Sequence, residues 1–182
     1  MPKEGEKQVP KVYKTIKKPY IDITSKWKKN SSMNILQIEE RTFVRINGKN
    51  YKINKNNKNV VFEEDIEALR PIAKWMSKTF GGKIYINPTV KYPQGIRTPD
   101  FTYKNKSWDL KTINTDGVYS IDNALKTTKG QSNNFILDLS NSKLDFSDII
   151  KQVKKIYNNP YRPWIDILII KRDSKFNVLK RK

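Results

Sequence analysis

The residues best suited to chemistry lie close together, in Thr98-Pro99-Asp100-Phe101-Thr102-Tyr103 and then Ser107-Trp108-Asp109-Leu110-Lys111. If these segments are neighbouring strands, Asp109 and Lys111 project from one face two residues apart, and Asp100 approaches from the strand beside them. Two carboxylates brought together repel unless a cation lies between them, so the arrangement calls for a divalent ion. A lysine beside that ion can orient a water and meet charge building on a phosphate. Composition points the same way. The 182 residues contain no histidine and no cysteine, which excludes serine hydrolase triads, histidine-pair ribonucleases, Cys–His proteases and Cys/His zinc sites. Only oxygen ligands remain, so Mg2+ or Mn2+ is the expected cofactor.

Charge names the partner class. Lysine and arginine number 37 against 18 acids, a net charge of +19, and such an excess favours a polyanion through counterion release whatever the fold. A lysine- and asparagine-rich coding bias is the blander source of the same count. Lys83, Lys91 and Arg97 fall near the segments that bear the acids and are the candidate phosphate contacts; a solvated basic face is the alternative for all three. No apolar run approaches the roughly 20 residues of a membrane span, and the start MPKEGEKQVPK has no hydrophobic signal core. With no cysteine either, a soluble cytoplasmic chain without a membrane partner is expected.

The elements that must position these residues can be read from periodicity. Residues 1–33 hold lysines, prolines and isolated aromatics (Tyr13, Tyr20, Trp27) without a sustained period, and read as a basic arm contributing little core. Residues 34–59 read as a hairpin extension, with Thr42–Ile46 and Lys49–Ile53 joined at Asn47-Gly48. The main domain is expected over 60–182. Phe62, Ile66, Leu69, Ala73, Met76 and Phe80 recur at helical spacing up to a Gly81-Gly82 stop, with Pro71 expected to kink or divide the helix.

Strands follow at Lys83–Asn87, Asp100–Tyr103 and Ser107–Thr112, the last two joined at Lys104-Asn105-Lys106. A weak helix at Ile121–Thr128, a doubly buried strand at Asn134–Leu139, and a helix at Asp145–Tyr157 with Ser147 as a possible cap come next. Strands at Trp164–Ile170 and Phe176–Leu179 complete the pattern, and Lys180-Arg181-Lys182 reads as a frayed charged end. Trp75, Trp108 and Trp164 are assigned to the core. Helices alternating with buried strands predict an α/β fold, a mixed central sheet flanked by helices.

Pro99-Asp100 followed by Asp109-x-Lys111 resembles the PD-(D/E)xK nuclease superfamily, whose sheet is restriction-endonuclease-like. Over about residues 60–182, "TPDF", "WDLK", "Q-x-x-N", "ILDLS" and "DILIIKR" follow the order found in the C-terminal tRNA nuclease domain of contact-dependent inhibition toxins and its relatives appended to phage head proteins. The resemblance implies Asp100, Asp109 and the Leu110 carbonyl as metal ligands, Lys111 as the catalytic lysine, and Gln131 and Asn134 as a polar pair near the site; a loop entering a strand is the other account of that pair. It also implies RNA, with tRNA foremost, as substrate and an immunity protein as partner. DNA cleavage by the same constellation, and a non-catalytic nucleic-acid-binding module, are the rival readings. Relatives usually supply a glutamate shortly before the position of Ala73, where Leu69-Arg70-Pro71 stand here. Glu67 is the substitute, with Glu63 or Asp65 behind it, and an acidic first turn complementing the helix dipole is the competing account of these acids.

Overall fold

Nearly unbroken apolar runs at 134–139 and 167–170 bury strands on both faces, and one large sheet grows around them. The computed structural model describes residues 18–27, 37–40, 43–46, 49–52, 61–63, 66–92 and 94–182. In chain order the elements are β1 (Tyr20–Asp22), α1 (Thr24–Trp27), β2 (Gln37–Glu40), β3 (Phe43–Ile46), β4 (Lys49–Lys52), β5 (Val61–Glu63), α2 (Ile66–Phe80), β6 (Lys83–Ile86), β7 (Thr89–Tyr92), β8 (Phe101–Tyr103), β9 (Lys106–Thr112), α3 (Ser120–Leu125), β10 (Asn134–Asp138), α4 (Phe146–Asn158), β11 (Ile167–Arg172) and β12 (Lys175–Arg181).

Eight strands form the main sheet in the order β1-β12-β11-β10-β9-β8-β6-β2, while β3 pairs β4 and β5 pairs β7. β10 runs parallel to β9 and β11, and β2 runs parallel to β6, whereas β8 is antiparallel to both neighbours. The fold is thus the expected mixed α/β sheet flanked by helices.

Each face has its own core. Under α2, the side chains of Ile72, Ala73, Met76 and Phe80 meet Ile84, Ile86, Phe101, Tyr103, Trp108, Ile136 and Ile169. On the other face, Ile121 and Leu125 of α3 and Ile149, Val153 and Ile156 of α4 cover Ile113, Phe135, Leu137, Leu168 and Ile170. Trp108 is fully enclosed, and Trp75 and Trp164 pack against the two cores, as their assignment required. Among the described residues no helix is long and apolar enough to cross a membrane.

Several expectations are corrected. Residues 20–27 join the fold, because Tyr20 and Trp27 are buried and β1 pairs β12 at the sheet edge. β2 belongs to the main sheet rather than to the hairpin. The hairpin itself is present as β3 and β4, with Ile46 opposite Lys49; its turn residues 47–48 lie outside the described residues. The first helix begins at Ile66, and Val61–Glu63 is instead a strand paired with Thr89–Tyr92. Pro71 sits inside one continuous helix. It lies early, where a single missing N–H removes only one ladder bond.

Asp145, not Ser147, caps α4, its carboxylate accepting the Asp148 N–H at 2.8 Å. Trp164 precedes β11 rather than opening it. Arg181 is anchored, donating to the carbonyls of Ile165, Tyr157 and Arg162 at 2.7 Å each. The Gly81-Gly82 stop stands: both glycines have positive φ (75° and 85°), and Gly81 N–H closes on Ser77 O at 2.8 Å.

Candidate active site

β8 and β9 are joined by a tight turn in which Lys104 and Asn105 both take positive φ (49° and 58°), the two-residue geometry that matches strand twist. That turn sets Phe101 opposite Trp108, which places Asp100, one residue before β8, opposite Asp109. Trp108 and Leu110 point into the core under α2, so alternation turns Asp109 and Lys111 to the other face. Before β8 begins, the Leu110 N–H has no strand partner on that side, and the Asp100 carboxylate takes it: Leu110 N donates to Asp100 Oδ2 at 2.8 Å.

Asp109 is 1% exposed and held from two directions. Gln131 Nε2 donates to its Oδ1 at 3.0 Å, and Lys111 Nζ lies 2.9 Å from its Oδ2. The lysine contact is an ion pair without a well-directed hydrogen bond, so Oδ2 is a buried acceptor that the described residues do not satisfy. Such an atom favours a cation. Burial, and then the Asp109 charge beside it, push the Asp100 carboxyl up to about 7; a hydrogen bond with Asp109 adds to the rise, while the Leu110 N–H and Lys111 oppose it. Two acids crowded in this way crave positive charge, and a hard divalent ion held by oxygen fits the donor set.

Among the described residues no group of three or more acids is clustered. Asp100 and Asp109 would therefore hold Mg2+ or Mn2+ with main-chain carbonyl, water and phosphate oxygens completing the shell. The Leu110 carbonyl, which the resemblance names, belongs to the residue between Asp109 and Lys111.

The fold thus brings Asp100, Asp109, Lys111 and Gln131 together. It places the other candidates elsewhere. Glu67 lies on the exposed first turn of α2, its side chain 89% exposed and paired with Arg70 at 2.6 Å, and no described contact links it to the two aspartates. Glu63 is in β5, but its side chain and Asp65 lie outside the described residues, as does the Lys91 side chain. Arg97 donates to Thr127 O at 2.7 Å, which fixes it to the loop leading to Gln131. Lys83 lies at the far end of β6 from Asn87, paired with Glu39 at 2.6 Å.

Asn134, expected with Gln131 as a polar pair near the site, is instead buried inside the sheet. Its Nδ2 donates to Ser107 O at 3.1 Å and its Oδ1 accepts Ile167 N–H at 3.2 Å. It clasps the strand ends, together with Ser132, whose hydroxyl oxygen lies 2.9 Å from both the Ser107 and the Asn134 carbonyl oxygens.

Sequence reasoning missed Asn87. Its N–H donates to Asp100 O at 2.9 Å and its Nδ2 to Pro99 O at 3.1 Å, so it fixes the backbone that aims Asp100. An amide ending the polar face of Lys83, Tyr85 and Asn87 was the available signal.

Fold and site together define a mixed-sheet α/β domain with a carboxylate–lysine centre on two adjoining strands. Residues 97–176 match the family model of the contact-dependent growth inhibition CdiA C-terminal domain, and this segment contains Asp100, Asp109, Lys111 and Gln131. A solved structure, the "CdiA-CT/CdiI toxin and immunity complex from Burkholderia pseudomallei", shares 17% identity at a TM-score of 0.46 over 79% of this chain and 98% of that one. No curated protein matches the chain.

Proposed function

We propose that this domain is a metal-dependent nuclease of the PD-(D/E)xK kind, a growth-inhibiting toxin that hydrolyses phosphodiester bonds in RNA, with tRNA as the foremost substrate. The observation that carries the reading is the pairing of half-buried Asp100 with buried Asp109, whose carboxylate has Lys111 on one oxygen and Gln131 on the other, inside the segment that matches a toxin domain. Bound at the two carboxylates, Mg2+ or Mn2+ would polarise a scissile phosphate and lower the pKa of a water.

The chain's own groups do the rest. Gln131 fixes the rotation of the Asp109 carboxylate, and Asn87 with the Leu110 N–H fixes Asp100. Lys111 keeps its ammonium at the carboxylate pair, where it positions the attacking water or meets the negative charge that grows on the phosphate in the transition state. The net charge of +19 supplies affinity for the polyanion at large. A nuclease that stops growth must be neutralised in the cell that makes it, so an immunity protein is part of the reading.

One panel tests it: the purified protein incubated with tRNA, total RNA and duplex DNA, each with EDTA and with Mg2+. Cleavage of RNA that EDTA abolishes and Mg2+ restores is expected. Asp109→Ala and Lys111→Ala should each lower the cleavage rate at least a hundredfold, on the scale of a lost transition-state contact, while RNA binding changes little. Cutting by either variant at the normal rate would sink the site assignment; cleavage of DNA alone would move the substrate, and salt-sensitive binding without cleavage would leave only a binding module.

A further inference from the structure

The chain leading into Asp100 and the chain leading into Gln131 are tied together away from the carboxylates. Arg97, three residues before Asp100, donates from Nη1 to the Thr127 carbonyl at 2.7 Å. Its side chain runs along Gly130, where φ is 82° and an added Cβ would lie 3.9 Å from Arg97 Cδ. The turn from Thr127 to Gln131 is held from within as well. Gln131 N–H donates to Thr128 O at 2.9 Å, and the buried Thr128 hydroxyl donates to Leu125 O at 2.7 Å and accepts from Trp164 Nε1 at 3.0 Å.

These contacts close a ring. From Arg97 it crosses to Thr127, follows the chain to Gln131, crosses to Asp109 Oδ1 at 3.0 Å, steps on to Leu110, and returns through the Leu110 N–H to Asp100 Oδ2 at 2.8 Å. Both carboxylates are members of the ring. Two of its three hydrogen bonds end on a carboxylate; the third, made by Arg97, touches neither.

We infer that Arg97 is a positioning residue of the carboxylate centre: by bracing the Gln131 turn against the Asp100 segment, it fixes the spacing at which Asp100 and Asp109 meet a divalent ion. The inference rests on the metal site of the nuclease reading and deepens it. Two carboxylates repel and drift apart unless the chain holds them, and a hard ion is bound well only by oxygens already in place. Partners that orient metal ligands accordingly shift metal affinity tenfold or more. A guanidinium bond to a carbonyl is charge-assisted, strong enough to pin a turn.

The test requires no substrate. Melting temperature is followed across a Mg2+ titration, and its rise above each protein's own metal-free value reports the affinity. Arg97→Met keeps most of the side chain and loses the donor; it should raise the Mg2+ concentration of half effect about tenfold. Arg97→Lys, which keeps a charged donor, should recover most of that loss. Because Arg97 acts through Gln131, the two should be coupled, so that in a Gln131→Ala background Arg97→Met changes the Mg2+ response less than about twofold. RNA binding in EDTA should keep its slope of log affinity against log salt, whereas loss of a phosphate contact would reduce it by about 0.7. Arg97 is exposed, so the fold should survive its replacement; should Arg97→Met fail to fold, Arg97→Gln carries the same cycle.

An Arg97→Met protein with a normal Mg2+ response overturns the proposal, whether it melts lower without metal, as a plain loop clamp would, or shows the reduced salt slope of a phosphate contact. Equal losses in the two backgrounds overturn it too. The two readings fail separately. If Mg2+ binds and RNA is cut in an Asp109-dependent way while Arg97 is indifferent, the brace is wrong and the nuclease stands. If the coupled Arg97 effect on Mg2+ is present and no nucleic acid is cut, the brace stands and the nuclease does not. A wild type that neither Mg2+ nor Mn2+ stabilises overturns both.

Discussion

Asp100 is the residue on which the electrostatics of this molecule turn. Its carboxyl is raised from 3.8 to about 7 chiefly by burial and by Asp109, so the metal-free fold favours the protonated form. The stability this contributes is complete below the unfolded value and is lost as pH rises through the folded one. In EDTA the melting temperature should therefore fall between about pH 4 and pH 7, and Asp100→Asn should flatten that fall; scanning calorimetry across this window decides. Mg2+ should raise the melting temperature most above pH 7, where the Asp100 carboxyl is charged. At this scale the sequence was informative about type and spacing: Asp100, Asp109 and Lys111 stood out because the absence of histidine and cysteine left little else. It was uninformative where a polar side chain serves the backbone. Asn134 and Asn87 look alike in the chain, yet one clasps strand ends and the other aims a carboxylate, and only the register distinguishes them.

Among the elements, local pattern and structure agree where the core is continuous. β10, α4 and the β8–β9 pair were legible because their apolar positions follow a single period. They diverge at ends and edges. Asp145 caps α4 through its contact with the Asp148 N–H, so Asp145→Ala should cost about 1 kcal/mol in urea denaturation, while Ser147→Ala, an exposed residue inside the helix, should change little. Equal effects from both would reject the assignment. β7 was not read at all: its partner, β5, had been absorbed into an apparent helix because Phe62 happens to fall on the helical period. A division of α2 at Pro71 errs in the opposite direction, since a break read from the chain alone takes no account of how α2 is held by the core beneath it.

For the molecule as a whole, Tyr20 and Trp27 were the largest misreading, because isolated aromatics reveal nothing until their distant partners are known. The Trp27 ring lies 5.5 Å from those of Phe80 and Trp108 and 6.2 Å from that of Tyr103. Trp27→Ala should destabilise the protein by about 3–5 kcal/mol. A chain beginning at residue 60 should melt well below the full-length protein or fail to fold, measured by circular dichroism. A truncated chain that melts with the intact one would show that residues 20–27 are dispensable.

The same edge has a mechanical side. Tyr20 lies opposite Arg181 and Ile21 opposite Lys180, so a pull between residues 20 and 181 acts at one end of a single antiparallel ladder. Tension there parts the bonds one after another, like a zipper, instead of shearing them all together. An edge closed in this way yields to traction one pair at a time, and the first strand to peel away takes with it the segment that leads to Trp27.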